Sequence, residues 1–410
     1  MRKNVIVGQS GGASAVFNAT LAGVYHMADD LQTNVYGMMN GLQGLLEDKI
    51  VNLGDYIRNQ YDLEVLRNTP GAFLGSCRYT LPDYNEQPEV YNRIFDVLRK
   101  HDISSFYYIG GLESLKTLNK LCTYAKIIGC DDIRFIGIPK TIDNDIPLTD
   151  HTPGFASAAK YVATSVKELI RDSSIYGRDF VTVVEVMGRD TGWLTAATTL
   201  CKGSDCSGPD LVYLPEKVFD PEKALEDIAR VRKNKKSVIV CIGEGCKLAD
   251  GRYLCDVDES NSFTEDASGK RLLTGASRVF ARMIHDRFNC RVRAVEFSAL
   301  QRSACHMASK TDNDEAFTIG ENAVKASNLK HTGEIVIINR VSNDPYQIRI
   351  SVKDIKGVFN ESKSVPTEWI LDDNSGMTKE FEQYARPLIQ GSVVTHYKDG
   401  LPLHMPLISM

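Results

Sequence analysis

The sequence is poor in the features that mark several protein classes. Its 10 cysteines are scattered over 410 residues without a single CxxC pair, which excludes a disulfide scaffold and leaves no zinc-type spacing. Cys201 with Cys206 and Cys241 with Cys246 are the nearest approach to paired ligands, and no histidine stands at a matching distance from either. The thiols are therefore expected to be buried and free. No apolar run reaches membrane-spanning length, and residues 1 to 20 run directly into "NVIVGQSGG" without a basic-apolar-small leader, so the expected address is the cytoplasm, with no membrane partner. A formal net charge of -5 supplies no broad cationic field, so nucleic acid and anionic lipid are not expected partners. Proline- or serine-rich linkers, repeats and low-complexity tracts are also missing. Any anionic ligand has to be caught locally.

What the chain does contain is a rhythm. Short apolar runs alternate with helix-like stretches: "NVIVG" from Asn4, "SSFYYIGG" from Ser104, "IRFIGIPK" from Ile133, "VTVVEVMG" from Val181, "SVIVCIG" from Ser237, "RVRAVEF" from Arg291 and "EIVIINR" from Glu334. That alternation predicts an α/β protein with largely parallel sheets flanked by helices. Strand grouping suggests units at 1–150 and 151–330, with 331–410 crossing back. Most runs end in Gly, Pro or a polar residue, and the carboxyl edge of such sheets is where ligands bind.

Four loops at those strand ends carry chemistry. In "GQSGGASAVFNATLAG", Gly8, Gly11 and Gly12 let backbone amides approach an anion, ahead of a helix that Ser10 or Ser14 is placed to cap. Without a P-loop lysine, that stretch serves as a tight turn as readily as a phosphate cradle. "TPGAFLGSCRYTL" offers Gly75, Ser76 and Arg78: a flexible backbone, a hydroxyl and a forked cation. "IPKTIDNDIPLTD" brings Lys140, Thr141, Asp143 and Asp145 to one strand end, the cation and paired carboxylates that phosphoryl transfer needs to take a hydroxyl proton, neutralise the moving group and hold magnesium. A polar turn before a helix near Thr152, capped by Asp150, is the alternative use of that loop. "VEVMGRDTGWL" adds Arg189 after Gly188. A fifth strand end, "IGGLESLKTL", opens a helix after Gly110 and Gly111 with Ser114 in its first turn, yet inserts Leu112 and Glu113 where an anion should sit.

The runs "PKTIDNDIPLTDHTPGFASA", "VVEVMGRDTGWLTAA", "LGSCRY" and "ALQR", spread in order over nearly the whole chain, resemble the phosphofructokinase family, and its pyrophosphate-dependent branch in particular. The resemblance implies two Rossmann-like domains with the site in the cleft between them, and magnesium-dependent, reversible phosphoryl transfer to the 1-hydroxyl of fructose 6-phosphate. It implies Asp143 as the base, Lys140 and Arg189 as catalytic cations, and Asp145 with Glu113 at the metal. Gly11, Gly12, Arg78, Gly111, Glu113, Ser114 and Lys140 are expected around the donor. Thr141, Asp143, Met187, Gly188, Arg189, Glu244, Arg293, Gln301 and Arg302 are expected around the sugar phosphate. Because some family arginines reach a neighbouring subunit's site, a homo-oligomer of two or four chains is also implied.

ATP-dependent members of the family typically carry glycine where this chain has Glu113 and Lys140, so the acidic and basic pair favours pyrophosphate over a nucleotide. Leu112 departs from the branch, which usually has aspartate or asparagine there. Ala299 replaces a polar contact that many relatives carry. These departures leave two other readings open: a silenced paralogue that binds sugar phosphate as a regulatory subunit, and a kinase for sedoheptulose 7-phosphate.

Overall fold

The computed structural model describes residues 4–175, 177, 179–258, 271, 273–359 and 361–408. Each of the seven apolar runs forms a strand. In chain order the strands of the two larger sheets are β1 (Asn4–Gln9), β2 (Asn34–Met38), β3 (Ile50–Asn52), β4 (Ile103–Gly110), β5 (Arg134–Pro139), β6 (Phe180–Val186), β7 (Leu211–Tyr213), β8 (Ser237–Gly243), β9 (Arg291–Glu296), β10 (Glu334–Asn343) and β11 (Tyr346–Asp354). The first sheet has seven strands in the order β11-β10-β5-β4-β1-β2-β3, parallel except for the pairs β2/β3 and β10/β11. The second has the order β7-β8-β6-β9 and is parallel throughout. Both sheets are covered by helices, which is why the central strands are apolar on both faces.

Register fixes where the loops emerge. Gln9 pairs with Ile109 and Gly110 with Pro139, so β1, β4 and β5 end together and release residues 10–12, 111–114 and 140–145 at one edge. In the second sheet Val186 pairs with Gly243 and Glu185 with Glu296, which brings the ends of β6, β8 and β9 level in the same way.

The helix Lys310–Asn328 does not stay with the second sheet, as a boundary at residue 330 would require. It packs on the helix Phe17–Asp30 beside the first sheet, where Ile319, Ala323 and Val324 join Phe17, Leu21 and Val24 in one core. Two glycines permit this approach: a Cβ on Gly23 would lie 2.0 Å from the Phe317 carbonyl oxygen, and one on Gly320 2.2 Å from that of Thr20. Helix propensity alone makes Gly23→Ala stabilising by about 1 kcal/mol. Overpacking two backbones costs about 1–3 kcal/mol, so the net effect is expected to be a loss. Scanning calorimetry of Gly23→Ala should show a midpoint lower than wild type by a few degrees; a rise would mean that the helices do not meet here.

Neither serine caps the first helix. Its N-cap is Val16, and the Ser10 hydroxyl donates instead to the Cys77 carbonyl (3.2 Å), tying the glycine loop to the Arg78 loop. Asp150 does not cap the helix Phe155–Ser174 either; Asp312 does, accepting from Gly154 N (3.0 Å) and Ser157 N (2.9 Å). All ten cysteines are buried, and none forms a disulfide. No helix among the described residues is long and apolar enough to cross a membrane.

Candidate functional site

Lys140 leaves β5 at the level of Gly110, whose carbonyl accepts its amide hydrogen at 3.0 Å. Its side chain then turns under the glycine loop. The ammonium donates to the Gly12 carbonyl (2.5 Å), lies 4.2 Å from the centre of the Phe17 ring, and the residue is only 3% exposed. Burial pushes the amine down to about 7, with Arg302 and Arg78 adding to the effect while Asp143 and Asp145 oppose it. Gly11 is left-handed (φ 88°), and its Cβ position would be 3.6 Å from the Lys140 nitrogen. A side chain there would crowd that cation. The Ser76 hydroxyl donates to the Gly11 carbonyl (2.7 Å), which locks the second loop to the first.

Asp143 and Asp145 flank Asn144 on the loop after β5. The Thr141 hydroxyl accepts from Asp143 N (3.1 Å), and Thr191, at the far side of the cleft, donates its hydroxyl to the Asp143 carbonyl (2.9 Å). Burial raises the Asp143 carboxyl well above the usual carboxylate range; Asp145 and Asp190 raise it further, while Lys140 and Arg189 draw it back. Asp145 is raised for the same first reason, and its Oδ1 is buried without a hydrogen-bond partner. A buried carboxylate oxygen left open in this way is a position that a cation can fill.

Three arginines come to this cluster. Arg78 is shifted downward by burial and by Arg302 and Arg189, with Asp143 opposing. Arg302 lies over the glycine loop, its Nη1 3.6 Å from where a Gly12 side chain would start. Expected on the sugar phosphate, it reaches the glycine loop that is expected around the donor. Arg189 donates to the Arg271 carbonyl.

On the second sheet, Met187 N donates to Gln301 Oε1 (3.2 Å) and Gly188 N to Glu244 Oε1 (3.3 Å), so these four residues form one ledge. Burial pushes the Glu244 carboxyl up to about 8, with Asp143 and Glu185 adding to it. Gly188 (φ 147°) has no room for a Cβ, which would meet the Thr191 carbonyl oxygen at 2.3 Å.

Two expected residues stand apart from this convergence. Arg293 sits on β9, the edge strand of the second sheet, paired with Asp172 (2.6 Å) and set over the Phe180 ring at 5.0 Å. Glu113 lies in the first turn of the helix Leu112–Ile127; its side chain is 62% exposed and accepts from Lys116 (3.0 Å). Asp145 is half-buried with its Oδ1 covered, so the two carboxylates expected at the metal stand in different surroundings. Among the described residues no group of three or more His, Cys, Asp or Glu side chains is arranged to hold a metal by itself. Leu112 is half-buried and packs on the core beneath the first sheet, while Ser114 is buried with its hydroxyl against Gly110. The amides of Leu112, Glu113 and Ser114 begin the helix, where the first turn has no intrahelical acceptors.

Lys363 and Tyr384 carry no signal in the local sequence, yet both reach the back of the Asp143 loop from the C-terminal segment. Asp190, beside Arg189, also enters the electrostatics of both loop carboxylates.

The phosphofructokinase family model matches residues 4–327. The pyrophosphate–fructose 6-phosphate 1-phosphotransferase of Halomonas elongata is 35% identical over 404 residues, covering 97% of this chain and 94% of its own. That of Methylococcus capsulatus is 34% identical, covering 100% and 96%. The crystal structure of a pyrophosphate-dependent phosphofructokinase from Nitrosospira multiformis superposes with a TM-score of 0.87 at 32% identity, covering 100% of this chain and 98% of that one.

Proposed function

The chain belongs to the phosphofructokinase family, and from that premise we infer that it transfers a phosphoryl group from pyrophosphate to the 1-hydroxyl of fructose 6-phosphate, giving fructose 1,6-bisphosphate and phosphate. The observation that carries this reading is the meeting of one buried lysine and two carboxylates of raised pKa, on the loop after β5, with three arginines from other loops. Such a cluster suits a reaction in which negative charge moves and a hydroxyl loses its proton.

The new bond joins O1 of the sugar to the terminal phosphorus of the donor, and the bond from that phosphorus to the bridging oxygen breaks. Asp143 accepts the hydroxyl proton, and its raised affinity for protons matches it to that task. Lys140 and Arg189 face the charge that passes to the departing phosphate. Gly11, Gly12, Gly111, Ser114 and Arg78 surround the donor, while Thr141, Met187, Gly188, Glu244 and Gln301 hold the sugar. Asp145, with its open Oδ1, would hold magnesium, which would neutralise donor oxygens when bound; Glu113, paired with Lys116 on the solvent side, would reach that metal only by leaving its lysine. A nucleotide would extend past Lys140 toward the carboxylate of Glu113, whereas pyrophosphate ends before it; this favours the shorter donor. Arg293, turned outward on an edge strand, supports use of that residue in a second copy's site and hence a homo-oligomer. The enzyme acts in glycolysis or its reversal, in the cytoplasm.

Reversibility supplies the direct test. Protein given fructose 1,6-bisphosphate, phosphate and magnesium should produce a pyrophosphate resonance by phosphorus NMR. Absence of that signal, with the forward reaction also silent, would favour the sugar-phosphate-binding paralogue.

Leu112 offers a sharper probe of the metal. A side chain that can neither ligate nor hydrogen-bond a hydrated cation stands beside Glu113. In Leu112→Asp, a magnesium titration of the initial rate should reach half-saturation at a several-fold lower concentration. The variant should also melt earlier, since it loses a packed apolar side chain and gains like-charge repulsion. An unchanged titration would put residue 112 outside the metal's surroundings.

A further inference from the structure

We propose that Lys363 and Tyr384 are positioning residues that hold the Asp143–Asp145 loop in its reactive shape from behind. The inference rests on the phosphotransferase reading above and adds to it a part of the chain, the C-terminal segment, that the reaction itself does not touch.

The geometry centres on Asn144. It stands between the two carboxylates with a left-handed backbone (φ 52°), a conformation that asparagine adopts more readily than most side chains. Its amide group is committed on both atoms. Oδ1 accepts from Thr152 N (3.2 Å) and from the Lys363 ammonium (3.2 Å), while Nδ2 donates to the Tyr384 hydroxyl (2.8 Å). The same two side chains grip the far end of the loop. The Lys363 ammonium donates to the Thr149 carbonyl (3.2 Å) and to the Asp150 carbonyl, and the Tyr384 hydroxyl donates to that Asp150 carbonyl at 2.7 Å. Lys363 N donates to the Asp145 carbonyl (3.2 Å). Thus four consecutive or near-consecutive loop residues, Asn144, Asp145, Thr149 and Asp150, are bonded to two positions of the C-terminal segment.

The anchors are themselves fixed. The Lys363 ammonium lies 5.3 Å from the Trp193 ring centre, and the Tyr384 ring packs against Trp193 (5.2 Å) and Trp369 (5.7 Å). Arg340 on β10 donates to the Tyr384 carbonyl (2.7 Å) and to the Asp150 carboxylate (2.7 Å). His151 is fully buried between Asp150 and Glu315 (2.7 and 2.6 Å), so the loop's end is pinned to the helix Lys310–Asn328 as well. A buried ammonium costs several kcal/mol of desolvation unless its donors are used. Here they meet loop acceptors, and this cation also lowers the proton affinity of Asp145, against the burial that raises it.

The two side chains bond Asn144 and backbone carbonyls of the loop, not the Asp143 carboxylate. Their effect is therefore expected in turnover rather than in sugar affinity, since a misplacement of about 1 Å can cost on the order of a hundredfold in rate. Two variants test this: Tyr384→Phe, which removes one hydroxyl and keeps the ring, and Lys363→Met, which removes the ammonium and keeps most of the stem. Two readouts are taken on each at a temperature where the protein is folded. In steady-state kinetics, Tyr384→Phe should lower kcat by about threefold to tenfold and Lys363→Met by about tenfold to a hundredfold, with KM for fructose 6-phosphate changed less than about threefold. In hydrogen exchange followed by mass spectrometry, peptides covering residues 141–152 should exchange faster than in wild type, while those of β1 and β4 are unchanged. Exchange in 141–152 equal to wild type in both variants would overturn the proposal, as would kcat within twofold of wild type. A wild type without turnover would sink the phosphotransferase reading, and the exchange comparison would still decide whether the C-terminal segment holds the loop.

Discussion

Asp143→Asn is expected to lower turnover by about two to four orders of magnitude while fructose 6-phosphate binding, measured by calorimetry, stays near that of the wild type. The amide keeps the shape of the carboxylate and the backbone bonds to Thr141 and Thr191, so the loop should survive the change. What disappears is the acceptor for the sugar hydroxyl's proton. In the wild type, kcat/KM should rise with pH through the deprotonation of this carboxyl, in a window displaced upward from ordinary carboxylates because burial and Asp145 disfavour the charged form. In Asp143→Asn that rising limb should vanish. A variant that turns over at near-normal rate would remove Asp143 from its role.

The second large effect is expected at Lys140. Its ammonium is the most deeply buried cation of the cluster and lies under the loop that receives the donor. Replacing it by methionine keeps the stem against Phe17 and removes the charge, so kcat/KM for pyrophosphate should fall by about two to three orders of magnitude, the range seen when one preorganised donor to a developing charge is lost. The pH profile provides a control. With its amine pushed down to about 7, Lys140 loses its proton as pH rises through that value, and kcat/KM for pyrophosphate should fall with it. Because pyrophosphate ionises identically for both proteins, a descending limb present in wild type and absent from Lys140→Met belongs to the lysine. Exchanging both donor-side residues, Glu113→Gly with Lys140→Gly, should shift preference toward ATP even in a slow enzyme. No gain of ATP binding by calorimetry would mean that another wall of the pocket sets the choice.

Much of the architecture was legible because buried parallel strands are written as continuous apolar runs. The strands that no such run marks are those for which this signal fails: β2 is five residues interrupted by Gly37, β3 and β7 have three residues each, and β11 alternates with one face toward solvent. The loops of the site were legible for a related reason. Lys140, Asp143 and Asp145 follow an apolar run at once, and such runs end at a common edge. What the sequence concealed depends on rotation and distance. Leu112 and Glu113 are neighbours in the first turn of a helix, where about 100° of rotation per residue sets one half-buried against the core and turns the other to solvent. Arg293 is mid-strand on an edge, and nothing local distinguishes it from Arg302, which enters the cleft. The clamp on Asn144 joins residues more than 200 positions apart, from a segment, "ESKSVP", with no periodicity of its own. The placement of the helix Lys310–Asn328 against the first sheet depends on Gly23 and Gly320, whose meaning appears only when two helices are brought together.

The central claim is that this cleft takes its phosphoryl group from pyrophosphate. The most direct measurement is the initial rate of fructose 1,6-bisphosphate formation by the purified protein with fructose 6-phosphate and magnesium, supplied in parallel with pyrophosphate or ATP at equal concentration. A rate with pyrophosphate and a negligible one with ATP is the predicted result. Equal or greater use of ATP would contradict the account of Lys140 and Glu113, and no rate with either donor would contradict the assignment of activity itself.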